Sequence, residues 1–407
     1  MSEWLRLFDD HVAVQPPLSE EQLLHLPGKR GVALLAGGDD GQTPILLLTA
    51  ADIRQRLRGR LESPREDHRT RRADLREITT AVYWKRAYSH FQADLQFLRL
   101  AAAIWPDRYE QLAGCKPAVF VHVDPLEPRP RWVRTQEVFA SAGRYIGSFP
   151  SSAAADRFIE SIQDAFDLCR LYRCLMQAPD SSGCSYAQMG RCVGVCNGAM
   201  SLEDYRRLVA RSAEFAEGRR DEKRLDLQTR MKAAADQLQF EKAAGLKARL
   251  HRLADFDKAD YQWAAPAEAF RFIIIQAGPT ARQAQSFLAD RGRIEEGPAI
   301  PWPLEETILQ SLLDQMRRWF ADRAAFDPFG RWVMGLVSHY LRCSPQRRGV
   351  MVRWRDDLSA AELAGAIHSA AGDLRLGKRK GAGPPAAKEG EALPPDKNYN
   401  KPQPPEA

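Results

Sequence analysis

CSYAQMGRCVGVC, residues 184–196, places three cysteines within thirteen residues, and Cys174 stands just upstream. Together Cys174, Cys184, Cys192 and Cys196 read C-x9-C-x7-C-x3-C. Structural zinc sites usually pair cysteines two to four residues apart, and here Cys192 and Cys196 alone fit that rule. Iron-sulfur clusters need four thiolates but accept irregular spacing, because the cluster is wider than one ion. Glycines at 183, 190, 194 and 198 let the backbone fold tightly around such a body. The spacing leaves three readings open: an iron-sulfur cluster, zinc, or inert buried thiols. Cys169 falls on the helical pattern just before and reads as core.

The remaining sequence decides what kind of protein surrounds these thiols. The chain has 407 residues, 44% hydrophobic and 28% charged, enough for two or three domains with cores of their own. No apolar run approaches the eighteen or so residues of a membrane span, and the opening MSEWLRLFDD is acidic and aromatic, so the cytoplasm is the expected location. In that reducing compartment seven cysteines are not expected to build a disulfide framework. The net charge of +6 permits a polyanionic partner without requiring one. Its distribution is more telling, since RQRLRGRLESPREDHRTRR, residues 54–72, holds eight arginines against three acids. With Ile53, Leu57 and Leu61 as a buried stripe, Arg54, Arg56, Arg58 and Arg60 are candidate phosphate contacts on a solvated face.

Along the chain, GVALL (31–35) and PILLLT (44–49) flank the turn-rich GGDDGQ and read as two strands, followed by the arginine-bearing helix. HFQADLQFLRLAAAIW has apolar residues at 91, 95, 98 and 102 and stops at Pro106, which is a helix. AVFVHVDP and RWVRTQEVF read as strands with proline-rich connections, ending in GRYIGSFPSS, and SAAADRFIESIQDAFDLCRLYRCL as one long amphipathic helix. Ser201 is an expected N-cap answered by Asp204. Leu227, Met231, Ala234, Ala235 and Leu238 make one apolar stripe. Ala243, Leu246, Leu250 and Leu253 make a second, so 227–256 predicts two helices folded back on each other. Residues 270–296 read as an antiparallel meander, completed by helices and a last strand up to about 372. The remainder is rich in Pro, Gly and Lys with little to bury, and predicts disorder.

These residues resemble the bacterial UvrC excinuclease family. The resemblance rests on YIGSFPSSAAADRFIESIQDAF, the following cysteine, CSYAQMGRCVGVCNGAMSLEDY, and MKAAADQLQFEKAAGLKARLHRL, which is similar to that family's UVR motif. It is firm from about 116 to 256, faint before 116 and loose from 265 to 372. The resemblance implies a [4Fe-4S] cluster on Cys174, Cys184, Cys192 and Cys196, with zinc as the alternative. It implies a multi-domain α+β protein: a degenerate GIY-YIG-like domain (1–112), a Cys-rich central region (113–215), a UVR hairpin (220–258), a small α+β domain (265–372) and a disordered tail (373–407). It also implies DNA and a UvrB-like protein as partners. The expected docking residues are Met231, Leu238, Phe240, Ala243, Ala244 and Leu250.

The same resemblance shows what is missing. A GIY-YIG nuclease carries paired tyrosines on its hairpin, yet Ala33 stands in the first tyrosine position and ILLLT replaces the second motif. Arg56 falls on the family's catalytic arginine as a remnant. HFQADLQFLRLAAAIWP holds no glutamate, and Asp94 is its only acid. The YIG at 145–147 is a decoy. No Asp-Ile-Ser-His run introduces an RNase H-like core, and His339 and His368 read as surface or packed residues. Without a carboxylate to hold a divalent ion, no catalytic magnesium or manganese is expected. The expected function is therefore a UvrC-like part of nucleotide-excision DNA repair that binds DNA and a partner without cutting. Alternatives are an active excision endonuclease using Asp94 with Arg56 at a diverged metal site, and a non-repair UVR adaptor with a zinc site.

Overall fold

The computed structural model of the protein describes residues 3–16, 18–61, 74–322 and 326–377. Arg65, Arg69, Arg71 and Arg72 of the basic stretch, and the Pro-Gly-Lys tail from 378, lie outside the described residues. The fold is α+β and builds three four-stranded sheets in which every strand pairing is antiparallel.

In the first sheet, β1 (Asp10–Ala13), β2 (Gly31–Gly37), β3 (Thr43–Ala50) and β4 (Ala81–Arg86) run in the order β1-β4-β2-β3. Strand β2 is buried along its whole length, so alternate residues serve opposite cores. Val32, Leu34 and Ala36 pack with Tyr83 and with Leu100 and Ala101 of the His90–Ile104 helix. Ala33 and Leu35 pack with Trp84 and with Ile53, Leu57 and Leu61 of the Ile53–Leu61 helix. The two helices therefore lie on opposite faces of one sheet.

The second sheet orders β5 (Val119–Val123), β6 (Val133–Thr135), β7 (Arg144–Phe149) and β8 (Ala265–Pro266) as β6-β5-β7-β8. The Tyr145–Gly147 run lies on the interior strand β7, between β5 and β8. The strand expected over 131–139 shortens to the three residues of β6. The long helix expected to run through Leu175 ends at Phe166, because Asp167 adopts a left-handed conformation (φ 52°) that turns Leu168 and Cys169 into the core. Tyr172–Met176 is a separate short helix, and Cys169 lies in the turn between the two.

Two further helices, Asp221–Asp236 and Phe240–Leu253, form a hairpin. Their Leu227, Ala234, Leu246 and Leu253 enter the same core as Phe158, Ile162 and Phe215, so the hairpin is welded to the central sheet's helix layer. Leu238, expected on the buried stripe, is instead 73% exposed. The first helix ends at Asp236, and the left-handed turn at Leu238 (φ 60°) carries its side chain outward.

The third sheet joins β9 (Arg271–Ala277), β10 (Gln283–Asp290), β11 (Arg293–Pro301) and β12 (Val350–Arg353) in the order β11-β10-β9-β12. One face packs against the Gly330–Tyr340 helix, together with Phe91, Leu95 and Phe120. Gly335 makes that approach possible, since a Cβ there would collide with the Lys116 carbonyl. The other face meets the Glu306–Ala321 and Ala360–Ser369 helices. Leu374 and Leu376 are buried in this last core, so packed structure runs past 372, where the tail was expected to begin.

Phe158 joins the central sheet to the segment after the hairpin. It is fully buried and meets Phe149, Phe256 and Tyr261 at centroid distances of 4.9, 5.3 and 5.2 Å. Phe158→Ala should cost about 3–5 kcal/mol in equilibrium urea unfolding. A change within about 0.5 kcal/mol, the size of a surface substitution, would contradict this core.

Candidate functional site: the cysteine loop, the hairpin tip and the arginine helix

The cysteine loop hangs between the turn at Asp167 and the helix that starts after Ser201. Cys174 lies in the Tyr172–Met176 helix, Cys184 caps Ser185–Gln188, Cys192 sits in a bend, and Cys196 lies in the one-turn helix Val195–Asn197. Cys174, Cys192 and Cys196 are buried and Cys184 is half-buried. Burial raises the Cys196 thiol above its ordinary value, and Cys184, Cys192 and Cys174 add to that rise, so all three lie within electrostatic reach of it. Among the described residues, no three His, Cys, Asp or Glu side chains converge as a single metal ion would need. Cys169 is closest in role to a fifth member. Its thiol donates to the Leu171 carbonyl at 3.5 Å, and its closeness to Cys192 holds Cys192 below the ordinary thiol value and raises its own.

The loop is anchored by groups outside it. Ser201 accepts from the Asp204 N–H at 3.0 Å and donates to its carboxylate at 2.7 Å, starting the Leu202–Ala216 helix. That helix buries Tyr205, whose hydroxyl accepts from the Cys169 N–H at 3.3 Å. Arg249 of the hairpin donates to Asp167 at 2.7 Å, and the Val193 N–H donates to the Asp167 carbonyl at 3.0 Å. Cys196 is set by backbone geometry, with Gly194 (φ 72°) and Gly198 (φ 79°) left-handed on either side of its turn.

The expected docking residues divide into two groups. Met231, Ala243 and Leu250 are half-buried against the protein's own core. Leu238, Phe240 and Ala244 face solvent, with Phe240 65% exposed at the hairpin tip.

The arginines of the Ile53–Leu61 helix also differ from one another. Arg54 donates to the Leu26 carbonyl at 2.9 Å and the Leu24 carbonyl at 3.1 Å, so it holds the preceding segment in place. Arg58 lies 3.3 Å from Glu20. Arg60 is half-buried, while Arg56 is exposed. Asp94 projects from the His90–Ile104 helix, across the sheet from Arg56, and accepts from the Tyr340 hydroxyl at 2.6 Å. The pairing of Asp94 with Arg56 at one metal site is thus not assembled. Ala33 lies on β2 opposite Leu48 and Trp84, in an apolar layer. His339 is 3.5 Å from the Cys343 sulfur, and His368 hydrogen-bonds the Ala364 carbonyl. Sequence spacing had no means of finding Tyr340 as the partner of Asp94, because 246 residues separate them.

Comparison with known proteins places this geometry. Residues 118–215 match the family model described as UvrC/Cho excinuclease, middle domain. The matched span runs from β5 to the end of the Leu202–Ala216 helix and contains the whole cysteine loop. UvrABC system protein C of Syntrophus aciditrophicus is 32% identical over 135 residues, 33% of this chain and 22% of that protein. The Desulforudis audaxviator protein of the same name is 29% identical over 56% of this chain and 36% of its own length. That of Ruminiclostridium cellulolyticum is 25% identical over 68% of this chain and 44% of its own. The chain thus spans less than half the length of these relatives. No solved structure matches it. Strands β5, β6 and β7, the helices up to Ala216 and the cysteine loop match a middle domain of the UvrC/Cho excinuclease type. Over that span the chain is similar to the UvrC proteins. Among the described residues, no helix is long and apolar enough to cross a membrane.

A methyl group at Gly194 would stand 2.9 Å from both Ala199 Cβ and Asn197 Oδ1, in a left-handed conformation. Gly194→Ala should cost about 1–2 kcal/mol and speed proteolytic cutting within the cysteine loop. Gly245, on the hairpin with open space around it, is the control: Gly245→Ala should be neutral or stabilise by up to about 1 kcal/mol. Equal effects of the two substitutions in thermal unfolding and limited proteolysis would dismiss the strained-turn account.

Proposed function

We propose that this chain is a cytoplasmic, UvrC-like component of nucleotide-excision DNA repair that binds DNA and a UvrB-type partner but makes no incision itself. The observation that carries the reading is a UvrC/Cho-type middle domain fused through one core to a helical hairpin whose tip leaves Leu238 and Phe240 bare. An exposed aromatic at a rigid tip is the kind of anchor that concentrates binding energy. The hairpin is read as a UVR motif on its sequence, and its exposed residues Leu238, Phe240 and Ala244 are the docking set. Met231, Ala243 and Leu250 serve the fold instead. Support for the absence of cutting is the separation of Arg56 from Asp94 and the apolar setting of Ala33. Arg56 and Arg58, both exposed, remain as DNA contacts on that helix.

Cys174, Cys184, Cys192 and Cys196 form an all-sulfur donor set in which the first three lie within electrostatic reach of Cys196. Four thiolates at irregular spacing support a [4Fe-4S] cluster, with zinc as the alternative. Bound there, a cluster would supply iron-sulfur bonds that lock the loop. Tyr205, Asp167 and the two left-handed glycines do the positioning.

Three measurements test the reading. Protein purified without oxygen should contain about four iron atoms and four acid-labile sulfides per chain, and stoichiometric zinc would replace the cluster assignment. With magnesium or manganese, the protein alone should leave lesion-bearing duplex uncut, and robust incision would overturn the non-nuclease reading. Phe240→Ala should weaken binding to a UvrB-type protein roughly 30-fold, ~2 kcal/mol, with little change in stability. Unchanged affinity would remove the tip from the interface.

A further inference from the structure

A charged cluster lies where the His90–Ile104 helix meets the C-terminal region, and none of the roles above uses it. Arg30, at the entrance to β2, donates to His90 Nδ1 at 3.0 Å. Burial, then Arg30, holds His90 below its ordinary value, which keeps that nitrogen an acceptor. Tyr340 donates to Asp94 at 2.6 Å. The short Pro345–Arg348 helix packs on the His90–Ile104 helix and brings Arg347 to the same place. Arg375 completes the group, within electrostatic reach of both Arg30 and His90.

The charges in this cluster do not balance. Other arginine groups in the fold are balanced by acids: Arg331 reaches Glu110 and Glu137, and Arg220 and Arg224 share Asp257. Here three guanidinium groups converge, and among the described residues none has a carboxylate at ion-pair distance. The acid that acts on Arg30 and His90 is Asp94, whose carboxylate already accepts from Tyr340. Like charges gathered this way are mutually unfavourable unless an anion joins them. Arg347 and Arg375 are exposed and Arg30 is half-buried, so the cluster is open and shallow. That shape suits a passing polyanion better than an enclosed small ion.

We propose that Arg30, Arg347 and Arg375 form a phosphate-binding site between the N-terminal sheet and the C-terminal region that grips the sugar-phosphate backbone of DNA. The proposal rests on the DNA-binding reading above. Such contacts position the duplex without reading sequence.

The test uses the full chain and a fluorescein-labelled duplex, with anisotropy followed across a salt series. The exposed pair is changed together, Arg347→Ala with Arg375→Ala, and an unchanged melting temperature of the double variant checks that the fold is kept. This double variant should bind every sequence more weakly, and its slope of log affinity against log salt should be shallower by about 1 for each phosphate no longer neutralised. Lysine at both positions should restore most of the slope, since lysine also neutralises a phosphate. A wild-type slope in the alanine variant overturns the site. Failure of the wild-type chain to bind duplex at low salt overturns the DNA reading itself. Inorganic phosphate provides the other arm. A melting temperature raised by phosphate in wild type but not in the alanine variant, with the DNA slope unchanged, would assign the site to a free anion and overturn the backbone assignment.

Discussion

Asp167 is where the chain's separate parts become one object. Its left-handed backbone ends the helix over the central sheet, its carbonyl receives the Val193 N–H from the cysteine loop, and its carboxylate receives Arg249 from the hairpin. The ion pair is about a quarter exposed on both sides, so water screens it less than a fully solvated pair. Remove the turn and the amphipathic helix would continue straight through Leu175. Cys169 and Cys174 would then ride on one rod and could not fold back toward Cys192 and Cys196.

That constraint also explains why this turn was illegible. The apolar spacing of Phe158, Ile162 and Phe166 carries on into Leu168 and Leu175, so periodicity alone extends the helix. Nothing local announces an aspartate in the left-handed region, which is stabilised by a hairpin residue 82 positions away. Where the determinant was local, the reading was sound. The Ile53, Leu57, Leu61 stripe is buried as its spacing requires, and Ser201 with Asp204 caps its helix. Leu238 failed for the opposite reason: it kept the stripe's spacing, but the helix had already ended two residues earlier.

The candidate site shows the same division. The four cysteines were visible because they crowd into one loop, and the hairpin because two stripes meet at a break. What each arginine does was not visible. Arg54 looks like its neighbours in sequence, yet it is bound to the carbonyls of Leu24 and Leu26. Asp94 looked like a possible substitute for a missing glutamate. A sheet buried on both faces separates it from Arg56, and the period-two alternation of β2 makes that separation unavoidable.

The hairpin's shared core has a mechanical consequence. Because Leu227, Ala234, Leu246 and Leu253 are locked among the aromatics of the middle domain, the tip cannot swing as an arm on a linker would. Whatever docks at Phe240 is held at a fixed bearing to the cysteine loop and to the sheet beyond it. The hairpin is built as a bracket, seated on the shared core and tied to the turn at Asp167 through Arg249.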